Sequence, residues 1–202
     1  MPRSEAMGAI AETMKKSAAA LREHDVPFLL AGSLASWARG GPETSHDLDF
    51  VVRPEDAERA LEALVAAGMQ SDDPPEEWLH KAWDGDVLVD LIFSPSGLDA
   101  ADAMERGEVL SVMSMDLPVM ALEDVLVTKL CALTEHSLDY QGALEMARAL
   151  REQVDWSDVR ERTAQSPFAE AFFLLLDRLG IVPAPGPPRG GDPRVRVDVT
   201  TA

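Results

Sequence analysis

Two aspartates separated by one residue, Asp47 and Asp49, stand in the run Asp47-Leu48-Asp49-Phe50-Val51-Val52. On a strand, residues i and i+2 project from the same face, so both carboxylates point one way while Leu48 and Phe50 point into a core. Held about 4 Å apart at an effective dielectric near 20, two such charges repel by about 4 kcal/mol. A shared cation removes that penalty, and hard carboxylate oxygens suit Mg2+ together with the phosphates of a substrate. Thirteen residues separate Asp47 from the pair Gly32-Ser33, which closes the apolar run 28–31. Glycine lets a buried strand turn sharply, and a helix opening at Ser33 presents unpaired N–H groups and a positive dipole end to a phosphate. Asp90 is the one charge in the apolar run 87–93. A carboxylate there is costly to bury unpaired, so it must reach an opening of the sheet or find a cation. The plain alternative, a helix cap followed by two solvated aspartates on an edge strand, stays open on these residues alone.

The elements that must hold these groups follow from periodicity and breakers. Residues 5–24 carry Met7, Ile10, Met14, Ala18 and Leu21 at helical spacing and predict an amphipathic helix over the sheet. Pro54 suits a helix start, and Ala57, Ala60, Leu61, Leu64 and Val65 give that helix its buried face up to Gly68. Residues 71–77 read as a polar loop, and Asp84-Gly85 between the runs 78–83 and 87–93 as a hairpin turn. A short helix over 99–107, an extended segment over 109–115 and helices over 119–133, 138–151, 155–163 and 168–179 complete the pattern, with Asp155 and Ser166 as caps. The expected class is α+β, a mixed sheet with flanking helices followed by a C-terminal helical subdomain. Residues 1–118 form the core in this reading, 119–180 the helical part, and 181–202, rich in Pro and Gly, a tail that cannot supply a core.

Composition narrows the partners. With 36 acidic and 18 basic residues the net charge is −18, which repels a nucleic-acid backbone and attracts a cation. Cys131, the one cysteine, excludes an internal disulfide, and its apolar helical context predicts a packed thiol. Neither a P-loop nor a zinc spacing is present. The N-terminal stretch is mixed in charge without a long apolar region, so a cytoplasmic protein with no membrane span is expected. Several other residues are double-edged. His46 precedes Asp47 but faces the other way on a strand, and both a structural and a supporting role stay open. Arg39, in the helix opened by Ser33, can meet a phosphate or simply satisfy the helix end at Gly40-Gly41. Trp37, Trp78 and Trp83 can stack on a base or pack.

Gly32-Ser33, thirteen residues, then Asp47-Leu48-Asp49 resembles the nucleotidyltransferase superfamily that includes DNA polymerase beta and the small antibiotic nucleotidyltransferases. The resemblance implies a nucleoside triphosphate donor, two Mg2+ ions on Asp47, Asp49 and Asp90, and Asp90 as acceptor of the proton from an attacking hydroxyl. It also implies that Gly32, Ser33 and Lys129, in the sequence Thr128-Lys129-Leu130, bind the triphosphate. Residues 135–140 read EHSLDY where several toxin-type relatives carry an arginine before an aspartate; the arginine is missing and Asp139 alone matches. A small-molecule acceptor is expected, with a protein or a tRNA end as alternatives, and a nucleotide-binding module without catalysis as the alternative of another class.

Overall fold

The computed structural model describes residues 3–42 and 47–182. Helix α1 (Arg3–Glu23) leads into strand β1 (Phe28–Leu30), the short helix α2 (Gly32–Trp37) and strand β2 (Asp47–Val52). A 3-10 turn (Pro54–Asp56) opens α3 (Ala57–Ala66), followed by β3 (Gln70–Asp72), β4 (Leu79–Asp84) and β5 (Val87–Ile92). Then come α4 (Ala100–Arg106), β6 (Glu108–Val112), β7 (Met115–Val119) and four helices: α5 (Leu122–Cys131), α6 (Tyr140–Leu150), α7 (Trp156–Arg162) and α8 (Pro167–Arg178).

The seven strands form one mixed sheet in the order β3-β4-β5-β2-β1-β7-β6. Parallel pairing joins β2 to β5 and β1 to β7; the remaining neighbours run antiparallel. Alternation along the strands sends Leu48, Phe50, Val52, Val89 and Leu91 to one face, where all are buried. Helices α1 and α3 cover that face, and Ile10, Met14, Ala18 and Leu21 supply the predicted stripe of α1. Lys16 and Thr13 bind the Asp84 carboxylate at 2.6 and 2.9 Å, so α1 is tied to the β4–β5 hairpin. The opposite face carries the aspartates and is only partly roofed, by α5.

Several expectations from the sequence need correction. The polar stretch after Gly68 begins with the edge strand β3, whose three residues are all exposed and therefore show no apolar signal. Residues 109–115 belong to a hairpin, not a single extended segment; Met113 and Ser114, with φ of 50° and 67°, make its turn without the Gly or Asn that normally marks one. The helix expected from 119 starts at Leu122, because Pro118 and Val119 finish β7. Ile181 and Val182, assigned to the tail, are buried in the core. The rest of that tail, 183–202, lies outside the described residues.

Candidate active site

Register sets the site. Asp49 pairs with Asp90 across β2 and β5, and Asp90 pairs with Lys81 across β5 and β4. On the same face this row has Asp47, Leu88 and Trp83 on one side and Val51, Ile92 and Leu79 on the other. The three aspartates thus share one surface, as the alternation requires, with Asp49 and Asp90 directly opposite one another. The hairpin already contained this: a two-residue Gly85-Asp86 turn places 84 opposite 87 and hence Lys81 opposite Asp90, a partner that the reading of the sequence missed.

Gly32 is indispensable for this arrangement. Its φ of +58° is left-handed, and a Cβ there would lie 2.6 Å from the Asp49 Cγ. Only a residue without a side chain lets the chain turn against the carboxylate, whose charge then receives the Ser33 backbone N–H. Burial, followed by the charges of Asp90 and Asp47, pushes Asp49 up to about 6, while Lys129 and the Ser33 N–H pull the other way. Burial likewise raises Asp90 to about 6, with Asp47 and Glu76 adding to the rise and Lys81 opposing it. One Asp90 oxygen, Oδ1, is buried with no hydrogen-bond partner among the described residues. An orphaned anionic oxygen beside two further carboxylates suits a cation. Among the described residues no three Asp, Glu, His or Cys side chains close around one point as a complete metal cage. Mg2+ does not need one, since it commonly takes one or two carboxylates and fills its shell with water and substrate phosphates.

A cavity of about 370 Å³ opens beside Asp49. Gly32 and Lys129 stand at its charged end, Val51, Ile92 and Met120 form apolar walls, and Trp78, 44% exposed, stands at the rim. Ser96, Ser137 and Asp139 also face it; the two serines carried no signal in the sequence. Asp139 caps α6 by accepting the Gln141 N–H at 3.0 Å. Lys129 lies against Gly142, where an added Cβ would come 3.6 Å from its Cε, so the lysine fits between Asp49 and the start of α6. Arg39 is not brought to this cavity. Its guanidinium donates to the Ala35 carbonyl at 3.0 Å and pairs with Glu108 at 3.3 Å. His46 lies outside the described residues.

Residues 9–179 match a protein family described as uncharacterised nucleotidyltransferase. The chain belongs to this family. No curated protein matches it. Among solved structures, the nucleotidyltransferase fold recurs in the antibiotic-resistance factor ANT(2'')-Ia, at 18% identity over 84% of this chain and 96% of that one, with a TM-score of 0.60. The same enzyme in complex with adenylyl-2''-tobramycin matches at 15% identity over 80% and 98%, also at 0.60. A putative nucleotidyltransferase from Thermotoga maritima matches at 19% identity over 76% and 94%, with a TM-score of 0.50. These likenesses establish the fold of this nucleotidyltransferase.

Proposed function

We propose that this nucleotidyltransferase moves a nucleoside monophosphate from a nucleoside triphosphate to a hydroxyl of a small molecule, with Mg2+ held by Asp47, Asp49 and Asp90. The observation that carries the reading is the Asp49–Asp90 pair, in register, each raised chiefly by burial and further by neighbouring carboxylates, beside a cavity with a lysine at its charged end. The nucleoside occupies the apolar part of the cavity near Trp78, and Gly32, Ser33 and Lys129 hold the beta and gamma phosphates. Asp90 takes the proton of the acceptor hydroxyl, whose oxygen forms a bond to the alpha phosphorus as the bridging P–O bond breaks and its electron pair leaves with pyrophosphate. Bound Mg2+ supplies neutralisation of charge on the phosphates and lowers the pKa of the attacking hydroxyl. Residues 119–180 act as a helical subdomain that carries Lys129 and Asp139 to the donor. The acidic chain and the tobramycin adduct of the ANT(2'')-Ia neighbour favour a small-molecule acceptor over nucleic acid. Among the described residues no helix is long and apolar enough to cross a membrane.

Calorimetric titration with nonhydrolysable analogues of the four ribonucleoside triphosphates, with and without Mg2+, tests the donor half. One nucleotide should bind only with Mg2+, and Asp90→Asn or Asp47→Asn should weaken it at least tenfold without lowering the melting temperature. Equal affinity with and without the metal, or in the variants, would overturn the metal assignment.

A further inference from the structure

The cavity lies on one side only of the Asp49–Asp90–Lys81 row, toward Val51 and Ile92. On the other side the same sheet face continues into the row Asp47–Leu88–Trp83. Asp47 is exposed, Leu88 is half-buried, and Trp83 is 37% exposed. The Trp83 indole N–H donates to Asp72 at 3.3 Å, which fixes the ring and leaves its face available. Lys81, next to it, is drawn toward Glu76 at 3.9 Å, so the positive charge nearest the ring is matched by an acid.

Reaction geometry and surface chemistry both place a second ligand here. In-line displacement requires the attacking oxygen and the leaving group on opposite sides of the alpha phosphorus. In that reading the leaving phosphates lie at Gly32, which follows β1, and at Lys129; β5 and β4 lie across β2 from β1, so the attacker arrives from the β5–β4 side, where Asp90 has an oxygen without a hydrogen-bond partner among the described residues. The aromatic face beside the carboxylates then selects the chemistry, because an indole attracts cations through its quadrupole and Asp47 and Asp72 add negative charge. We propose that the sheet face at Trp83 and Leu88 is the acceptor subsite and takes a hydroxyl-bearing organic cation, with Trp83 a specificity-determining residue. The proposal rests on the nucleotidyltransfer reading above. It gives two exposed tryptophans different ligands, the donor at Trp78, just before β4, and the acceptor at Trp83, within β4.

Fluorine NMR of the full chain labelled with 5-fluorotryptophan tests this, since the four tryptophans give resolvable signals that Trp83→Phe and Trp78→Phe assign. Tobramycin, as the cationic probe, should shift the Trp83 signal and leave Trp78 in place; trehalose, neutral and equally rich in hydroxyls, should shift neither. A nonhydrolysable ATP analogue with Mg2+ should move Trp78 and not Trp83. Trp83→Ala, at a partly exposed position, should weaken tobramycin binding at least tenfold while the affinity for the ATP analogue stays within twofold. A Trp83 signal unmoved by tobramycin, moved equally by trehalose, or moved by a short RNA in place of the cation would overturn the subsite. If the nucleotide analogue binds nowhere but tobramycin still moves Trp83, the donor reading falls and the cation subsite stands.

Discussion

Asp49 shows how a single carboxylate can work against the fold that holds it. Its pKa of about 6 lies above the ordinary 3.8 chiefly because the group is buried, and next because Asp90 and Asp47 repel it. A raised folded-state pKa means that the native protein takes up protons before the unfolded chain does. The resulting stabilisation is full below about pH 3.8 and is lost as pH rises through about 6. Without divalent cation, the contribution of this site should therefore raise the melting temperature as pH falls from 7.5 to 5.5. Asp49→Asn should stabilise the protein by roughly 1–3 kcal/mol at pH 7.5, since each tenfold change in the acid equilibrium is worth about 1.4 kcal/mol, and flatten that pH dependence. The same variant should lose transfer activity by a factor of about 100 or more, since a neutral amide would be a far poorer ligand for Mg2+ than a carboxylate. Thermal melts in EDTA at a series of pH values read this directly; an Asp49→Asn protein no more stable than wild type at pH 7.5 would mean that the carboxylate is satisfied in the native state.

Helix α5 has to arrive at a fixed depth for Lys129 to reach Asp49, and its first turn contains the means. Asp124 is fully buried and accepts from Arg106 Nε of α4, at 3.0 and 3.1 Å, and from Arg162 of α7. Arg162 also pairs with Asp158 at 2.8 Å. One carboxylate thus joins three helices, five residues before Lys129. Removing it leaves the two arginines facing each other with Asp158, on Arg162, as the remaining counter-charge, whereas breaking a fully buried pair costs about 3–5 kcal/mol. Because both arginines keep some solvent, Asp124→Ala should cost about 3 kcal/mol in urea unfolding and also raise the KM for nucleotide, with Arg106→Ala well under half as costly. A loss below about 1 kcal/mol would sink the clasp. None of this was legible in the sequence, since Asp124 looks like an ordinary acidic first turn and its partners lie 18 and 38 residues away. The placement of Gly32, Asp47 and Asp49 was legible because it is local, set by a turn and by strand alternation. Even the Lys81–Asp90 pairing was available from the hairpin, whereas the β6–β7 turn at Met113 and Ser114 was hidden by residues that seldom adopt its geometry.

Net charge of −18 over 202 residues surrounds the chain with negative potential, yet the reaction proposed here must admit an anionic nucleotide. Lys129 at the cavity, with Mg2+ on the donor as proposed, would make that local; a longer polyanion, with its many phosphates, would meet the whole field. A cationic acceptor stands in the opposite position, drawn toward the open sheet face at Asp47, Asp72 and Trp83 from beyond contact distance. Screening distinguishes attraction at range from contact. The Debye length shortens from about 10 Å at 0.1 M salt to about 3 Å at 1 M, so steering fades while a desolvated contact persists. The association rate of tobramycin, followed by stopped-flow tryptophan fluorescence, should fall several-fold between 50 and 300 mM NaCl while its dissociation rate changes little. A 30-nucleotide RNA should stay unbound at 50 mM NaCl, where phosphate contacts are strongest. An association rate indifferent to salt would assign the acidity to solubility alone, and an RNA that binds at low salt and leaves at moderate salt would replace the small cation with a nucleic-acid end as the acceptor.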